Sequence, residues 1–384
     1  MNEVFILHFS PLELYPPVQN LLSTFAKTGK PIKATVISTR STVNSLNKIY
    51  HNARNIQIVR LGASGQNLNI IKRYWSYFLF NTVSLLYILI KCPRSILYYE
   101  TISSYPAYLY KRFFNSKARI FIHFHEYSSP EDYNNGMRLN RFFFNMEKWL
   151  YTRADWVSHT NDYRMQQFLK DIQPVKITYP HILPNYPPKS WSISSKKRVG
   201  FPVKAVYIGA LSLTTMFLKE FTEWIISQKG NIELDIYSFN ITTDSKKYLH
   251  SLQCKWIKLM PGVAYSDLPG ILKEYSLGIV LYRGHIPNYI YNAPNKLFEY
   301  GICGLDVWFP DLMKGSLPYT TSGTYPKVVA INFLKLQELQ LHELIEHTDF
   351  DYKPVTICCE DIYAPFIEKL LGHDTHTVAQ NNFI

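Results

Sequence analysis

Short apolar runs typical of buried strands alternate with helix-like segments along the whole chain, and this alternation constrains the fold most. The runs of the first half are VFILHF, ATVIST, IQIVRL, SILYYE, RIFIHFHE and WVSHT. Those of the second half are AVYIGA, NIELDIYSF, WIKLMPG, LGIVLY, DVWF and KVVAINF. Strands that alternate with helices form parallel sheets with crossover helices. The sequence therefore predicts an α/β protein with two Rossmann-like domains.

A stretch rich in proline, serine and lysine, ILPNYPPKSWSISSKKRVGFPVK, separates the two series and is typical of a linker. A chain of 384 residues also exceeds the usual size of one compact core. We predict an N-terminal domain over 1–190, a C-terminal domain over 200–360, and a tail over 361–384 that can cross back to the first domain. Ligands of such sheets bind beyond the carboxyl ends of the strands, so two facing domains would enclose the site in a cleft.

Charge is distributed unevenly between the two halves. Residues 1–190 contain 23 Lys and Arg against 10 Asp and Glu, a net charge of +13, whereas the rest of the chain has a net charge of −1. This asymmetry indicates an anionic partner for the first half, such as acidic lipid headgroups, a phosphorylated acceptor or nucleic acid. No recognised nucleic-acid-binding module accompanies the charge, so we do not predict a nucleic-acid partner.

The longest uncharged run, residues 74–90, reads YWSYFLFNTVSLLYILI and is shorter than the roughly 20 apolar residues that span a bilayer. We favour a helix buried against a sheet. The alternative is a helix that dips into a membrane surface, with Lys72, Arg73, Lys91 and Arg94 at its ends.

The cysteines and the N-terminal residues both favour a cytoplasmic protein. The five cysteines show no metal-binding spacing, and an odd number gives no disulfide framework. The start, MNEVFILHFSPLELYPP, has an acidic residue where a signal peptide needs basic ones. We therefore expect a cytoplasmic location, with peripheral association at the inner face of the cell membrane as an option.

The segment NAPNKLFEYGICGLDV predicts a short helix between two strands, since Pro294 suits the first helical turn and Gly304 suits a left-handed closing residue. Lys296 and Glu299 are three residues apart and share one helix face, and the preceding strand delivers Arg283. Cations for a diphosphate and a carboxylate for sugar hydroxyls are what a nucleotide-sugar needs. The alternative is a surface ion pair, worth a few tenths of a kcal/mol.

Gly209, in AVYIGALSL, follows a strand and precedes a helical stretch. A missing side chain there lets backbone N–H groups approach a phosphate at a helix N-terminus, although a simple tight turn is an equally good interpretation.

IFIHFHEY places His123 and His125 on one side of a strand end and Glu126 on the other. Such residues can orient sugar hydroxyls or act as a general base, although a buried histidine is often only structural. These residues are also of metal-ligand types, but no fitting third and fourth ligands lie nearby in the sequence.

At these residues the chain resembles a glycosyltransferase of the GT-B fold, from the family 4 or group 1 superfamily. HFHEY, LPNYPP, YIGAL and PNKLFEYGICGLDV occur in the order typical of that family, over most of the chain. The resemblance implies that Glu299 binds ribose hydroxyls, that Lys296 meets the diphosphate, and that His125 contacts the donor sugar. Asn295, next to Lys296, is included in the predicted donor site with Gly209 and Arg283.

Two departures from the family pattern concern the donor site. Tyr291 stands where retaining members usually carry another glutamate, and Ala210 replaces a basic residue after Gly209. The resemblance favours retention of configuration, and inversion with His125 or Glu126 as the base stays open. A metal-independent mechanism also fits the GT-B fold that the resemblance implies, because helix dipoles and basic side chains would stabilise the leaving diphosphate.

The sequence thus predicts a hexosyltransferase that moves a sugar from a nucleoside diphosphate-sugar to a hydroxyl of a glycan or lipid-linked acceptor, in surface polysaccharide or glycoconjugate synthesis, with no further cofactor. The alternatives are a nucleotide-sugar epimerase and a non-catalytic GT-B subunit that binds a partner transferase or a glycan.

Overall fold

The structure, a computed structural model of the chain, describes residues 3–28, 33–42, 53–65, 68–193, 200–321, 323–345 and 351–373. The chain divides into two compact units. The first runs to Asn185 and resumes at Cys358, and the second is Tyr186–Ile357. The predicted linker lies around this boundary, and its residues 194–199 are outside the described residues.

The first unit is built on a parallel sheet of seven strands in the order β3-β2-β1-β4-β5-β6-β7. Its strands are β1 Glu3–His8, β2 Lys33–Ser41, β3 Ile56–Ser64, β4 Ser95–Tyr99, β5 Arg119–Phe124, β6 Trp156–His159 and β7 Pro180–Ile182. Phe5 on β1 is in register with Thr35 on one side and Ile96 on the other, so the strand order reverses at β1. The six strands predicted for this half are confirmed, and β7 is an addition.

Helices cross over between these strands. They are α1 Pro16–Lys27, α2 Ile70–Lys91, α3 Tyr105–Leu109, α4 Pro130–Asn135, α5 Arg138–Tyr151 and α6 Asp162–Asp171. Side chains of the type preferred at helix starts cap three of them: Asn69 accepts a hydrogen bond from the Lys72 N–H, Ser129 from the Asp132 N–H, and Asn161 from the Arg164 N–H.

Helix α2 contains the uncharged run, and the prediction that this run is buried was only half right. Tyr77, Phe80 and Ile88 face the sheet and are buried, whereas Trp75 and Ile90 are exposed on the opposite side. The run is apolar on both faces, and one helix can pack only one face against the sheet. None of the described helices is long and apolar enough to cross a membrane.

The second unit contains a parallel sheet in the order β10-β9-β8-β11-β12-β14 and a small pair, β13-β15. Its strands are β8 Val203–Ile208, β9 Ile232–Ser238, β10 Ile257–Pro261, β11 Leu277–Ile279, β12 Asp306–Pro310, β13 Thr324–Tyr325, β14 Val328–Ile331 and β15 Asp351–Tyr352. Its helices are α7 Leu218–Ser227, α8 Thr243–Ser251, α9 Leu268–Leu272, α10 Pro287–Ile290, α11 Asn295–Ile302 and α12 Leu341–Ile345. The six strands predicted for this half are confirmed.

The last described helix, α13 Cys359–Leu371, belongs to the first unit. It packs against α1, where the Tyr363 hydroxyl donates a hydrogen bond to the Pro17 carbonyl at 3.2 Å. Part of the predicted tail, residues 374–384, lies outside the described residues.

The core of the first unit contains a buried carboxyl group, Glu147 on α5, which accepts a hydrogen bond from the Tyr151 hydroxyl at 2.9 Å. Burial raises the pKa of Glu147 to about 7, and hydrogen bonds from neighbouring hydroxyls only partly offset this effect. The folded protein therefore binds this proton more tightly than the unfolded chain does. This tighter proton binding stabilises the folded state. The stabilisation is greatest below the unfolded pKa of 4.5 and is lost as the pH rises through about 7.

We predict that Glu147→Gln, which mimics the protonated carboxyl, raises the free energy of unfolding by about 2 kcal/mol at pH 8 and hardly changes it near pH 4.5. Urea unfolding at both pH values measures this difference. Glu131→Gln, at an exposed carboxylate of α4, is the matched control and should be neutral throughout. An equal effect of Glu147→Gln at both pH values would contradict the assignment.

Candidate functional site

In the second unit, Gly209 follows β8 at a place where no side chain fits. Its φ is 145°, a backbone conformation that L side chains rarely adopt. A Cβ atom at this position would lie 2.7 Å from the Nζ atom of Lys296. The backbone conformation therefore favours glycine, and the end of a lysine side chain from helix α11 occupies the space beside it.

Lys296 is buried near the start of α11 and faces the end of β8. Its Nζ atom donates a hydrogen bond to the Tyr207 hydroxyl at 3.3 Å and lies 4.3 Å above the centre of the Tyr207 ring and 5.1 Å from that of Tyr282. Aromatic faces attract an ammonium group but supply no countercharge. Burial lowers the pKa of Lys296 to about 8, and the nearby Glu299 carboxylate raises it only in part.

Glu299 lies one turn further along α11 and is buried as well. Burial raises the pKa of its carboxyl to about 7, against the opposing effect of Lys296. No ion pair joins Lys296 to Glu299 in the part of the chain that the structure describes. The alternative interpretation of a surface ion pair is therefore wrong. Each carboxylate or ammonium charge is favoured by the other group without a direct ion pair, and burial outweighs that attraction.

The packing of α11 fixes this geometry. A Cβ atom on Gly278 of β11 would lie 2.2 Å from the Tyr300 ring, so the absence of a side chain lets α11 pack directly on β11. The Tyr300 hydroxyl accepts a hydrogen bond from the Ile208 N–H at 3.0 Å. Gly304 has a φ of 74° and ends the helix region as predicted. Pro294 occupies the N-cap, one residue before the first turn in which it was expected.

Arg283, predicted as a diphosphate ligand, forms an ion pair with Glu220 at 2.6 Å, and its guanidinium lies 4.8 Å from the centre of the Phe217 ring. The backbone N–H of Arg283 donates a hydrogen bond to the Thr215 carbonyl at 3.0 Å. This bond joins the loop after β11 to the loop after β8. Contact of Arg283 with a diphosphate stays a prediction. The same holds for Asn295, the partly buried first residue of α11.

In the first unit, His125 lies just beyond β5 in a cluster of buried rings. Its ring stacks on Tyr99 with centroids 4.8 Å apart, and the His123 ring lies 4.8 Å away, as strand alternation predicts. The pKa of His125 is well below its usual value, chiefly because of burial and further because of His123 and His8. The imidazole is therefore neutral at physiological pH and a weak base, and the weak basicity favours hydrogen bonding over proton abstraction.

Glu126 is exposed, and its backbone is held by a residue that the sequence analysis missed, Glu100. The Glu100 Oε1 atom accepts hydrogen bonds from the N–H groups of His125 at 2.6 Å and Glu126 at 3.2 Å. Its own φ is 61°, which is strained for a residue other than glycine. Burial, followed by the Glu126 carboxylate, raises the pKa of Glu100 to about 8.

A sequence signal for Glu100 existed. SILYYE ends in a carboxylate directly after a buried strand, as IFIHFHE does, and these two strands are neighbours in the sheet. Tyr207 and Tyr282 had no comparable signal, because they read as ordinary aromatic residues of buried strands.

No group of three His, Cys, Asp or Glu residues suited to a metal ion occurs among the described residues. Metal independence stays a prediction.

Comparisons with known proteins rest on structure. No protein-family model and no curated protein sequence matches the chain. Among solved structures, it is similar to the apo form of the lipopolysaccharide outer core galactosyltransferase WaaB, with 14% identity and a TM-score of 0.56 over 96% of this chain and 95% of that one. It is similar to Anabaena HepE in complex with UDP and glucose, with 11% identity and a TM-score of 0.61 over 97% and 96% of the two chains.

The chain is also similar to UDP-GlcNAc 2-epimerase from Neisseria meningitidis bound to UDP-GlcNAc. The identity is 12% and the TM-score 0.58, over 96% of this chain and 100% of that one. The chain therefore has the GT-B glycosyltransferase-like fold, with two Rossmann-like α/β units, as its sequence predicted. Identities this low show the fold and leave the activity to be argued from the site.

We predict that Gly209→Ala destabilises the second unit by about 1–3 kcal/mol, because the substitution strains the backbone and displaces the Lys296 ammonium. Gly270→Ala on α9 is the matched control, since nothing lies within 4 Å of its added Cβ atom. It should be neutral or slightly stabilising. Thermal unfolding of both variants measures the difference, and equal effects would contradict the packing described for Gly209.

Proposed function

We propose that the second unit binds the diphosphate and ribose of a nucleotide-sugar between Lys296, Glu299 and the backbone at Gly209, and that the protein is a glycosyltransferase. The observation that carries the proposal is a buried lysine and a buried glutamate on one helix face, joined by no ion pair, next to a glycine whose backbone conformation L side chains rarely adopt. A site of this kind is incomplete until an anion and hydroxyl groups enter it.

A diphosphate would complete the cationic part of the site. Its charge restores the favourable environment that burial removes from the Lys296 ammonium, so the pKa of Lys296 rises on binding. Ribose hydroxyls would donate hydrogen bonds to the Glu299 carboxylate and so favour its ionised form. Two structural neighbours were solved with UDP and glucose or with UDP-GlcNAc, which supports a nucleotide-sugar as the ligand.

Transfer would begin with departure of the diphosphate through an oxocarbenium-like state. Lys296 and the backbone at Gly209 would stabilise the negative charge that develops on the leaving group, without a metal ion. Arg283 can contribute only if the anion competes with Glu220 for its guanidinium.

The residues of the first unit would act on the sugar and the acceptor. His125, held neutral, is suited to a hydrogen bond with a sugar hydroxyl. The exposed Glu126 is the better base if the enzyme inverts configuration, whereas resemblance to the family favours retention.

The acceptor that we propose is a hydroxyl of a glycan or of a lipid-linked intermediate in surface polysaccharide or glycoconjugate synthesis. The basic first half, with 23 Lys and Arg against 10 Asp and Glu, suits an anionic acceptor or an anionic surface at the cytoplasmic face of the membrane.

A nucleotide-sugar epimerase is the second candidate, because the structural neighbours include UDP-GlcNAc 2-epimerases. The two activities differ in their products. Incubation with the bound nucleotide-sugar alone yields an isomeric nucleotide-sugar if the protein is an epimerase, whereas a transferase releases the nucleoside diphosphate only with an acceptor or slowly to water. A protein that binds a glycan but no nucleotide would instead be a non-catalytic subunit.

We predict that calorimetry with UDP, GDP, CDP and ADP, and with their common sugars, identifies one base that binds, and that Lys296→Ala weakens this binding at least tenfold. Affinity should fall as the pH rises above about 8, because the free enzyme then loses the Lys296 proton. Lys273→Ala, at an exposed lysine of the same unit, is the control. An unchanged affinity in Lys296→Ala would refute the site.

Glu299→Gln tests the ribose contact separately. The substitution should weaken binding of the nucleoside diphosphate but hardly change binding of its 2′,3′-dideoxy analogue, because only the ribose hydroxyls contact this carboxylate. Glu274→Gln, at an exposed glutamate, controls for loss of charge. Equal weakening of both ligands would exclude a ribose contact.

A further inference from the structure

Helix α2 has an outward face that is apolar and exposed. Trp75, Phe78, Leu86 and Ile90 lie on the side opposite the buried residues Tyr77, Phe80, Ser84 and Ile88. The Trp75 and Phe78 rings stack with centroids 5.6 Å apart. Twenty-two residues make the helix roughly 33 Å long. Exposed apolar stripes of this size are rare on proteins that do not use them.

A segment that packs against α2 adds further exposed apolar side chains. Helix α2 packs against the π-helical segment Tyr110–Phe114, which exposes Phe113 and Phe114. We call the exposed side chains of this surface the α2 face. Its members are Ile71, Tyr74, Trp75, Phe78, Leu86, Ile90, Phe113 and Phe114.

Cations accompany the α2 face. Residues 70–117 contain seven Lys and Arg and one acidic residue, Glu100, which is occupied by two backbone N–H groups. The basic residues are Lys72, Arg73, Lys91, Arg94, Lys111, Arg112 and Lys117. Arg40, Lys72 and Trp75 also line an open groove near the start of α2. Arg60 lies in the same groove but is already paired with Glu13.

We propose that the α2 face is a membrane-docking surface that lies on a bilayer containing anionic lipids, with the apolar stripe in the interfacial region and the flanking cations against the headgroup phosphates. Apolar residues that include Trp and Tyr, bordered by Lys and Arg, are what an interfacial helix presents to such a bilayer.

A second copy of the chain fits this surface less well. A symmetric dimer through the α2 face would bring the same seven cations of both copies together, with hardly any carboxylates to offset them. An anionic bilayer matches both the apolar stripe and the charge.

This proposal deepens the membrane location proposed above and is independent of the donor site. Vesicle binding and nucleotide binding are therefore measured separately on the same full-length protein. Loss of one with retention of the other identifies which proposal fails.

The test is co-sedimentation with vesicles of phosphatidylcholine, with or without phosphatidylglycerol as the minor component. The wild-type protein should bind only vesicles that contain phosphatidylglycerol, and less strongly as salt is raised. Phe78→Ser/Ile90→Ser should lose at least tenfold in partitioning. These side chains are 59% and 77% exposed, so the folded state should tolerate the change, and thermal unfolding verifies it.

The matched control is Phe201→Ser/Leu334→Ser in the second unit, where the side chains are 60% and 69% exposed. It should bind vesicles as the wild type does.

Partitioning of Lys72→Gln/Lys91→Gln onto the anionic vesicles should fall roughly fivefold for each cation removed. Lys246→Gln/Lys247→Gln, at exposed lysines of α8, is its control and should bind unchanged.

Three outcomes would overturn the proposal. One is the absence of binding to the anionic vesicles, and another is an equal loss in the control variants. The third is a concentration-dependent dimer, seen by analytical ultracentrifugation, that Phe78→Ser/Ile90→Ser abolishes while vesicle binding persists, because a second copy would then occupy the α2 face.

Discussion

The approach of the Lys296 ammonium to Gly209 is the contact on which the rest of the candidate donor site depends. A Cβ atom would intrude to 2.7 Å from Nζ, and the φ of 145° is accessible in practice only to glycine. The contact joins the end of β8 to helix α11. A buried cation therefore lies at the carboxyl end of a central parallel strand, where sheets of this type bind their ligands.

Helix α11 can deliver that cation because a second glycine lets it pack closely on the sheet. Gly278 leaves room for the Tyr300 ring, and the Tyr300 hydroxyl accepts the Ile208 N–H just before Gly209. Two glycines on neighbouring strands thus fix one helix. The lysine and the glutamate are buried as a result, and burial moves their pKa values to about 8 and about 7 despite the attraction between them.

The first unit also buries ionisable groups at the end of its sheet, but it keeps them neutral. His125 has a pKa well below its usual value, and Glu100 has one raised to about 8 while it holds the backbone of His125 and Glu126. Its positive charge is concentrated elsewhere, on surfaces that include the ends of α2. In our proposals the polar interior of this unit meets a sugar and its charged exterior meets an anionic surface.

Much of the fold and part of the site could be predicted from the sequence, because periodicity and helix spacing are local properties. The alternation of strands and helices determined two parallel sheets, and three-residue spacing determined that Lys296 and Glu299 share one helix face. Burial could not be predicted in this way, because it depends on which distant segments meet. Only the tertiary structure decided that Tyr207 lies under Lys296, 89 positions away, and that Glu220 pairs with Arg283, 63 positions away.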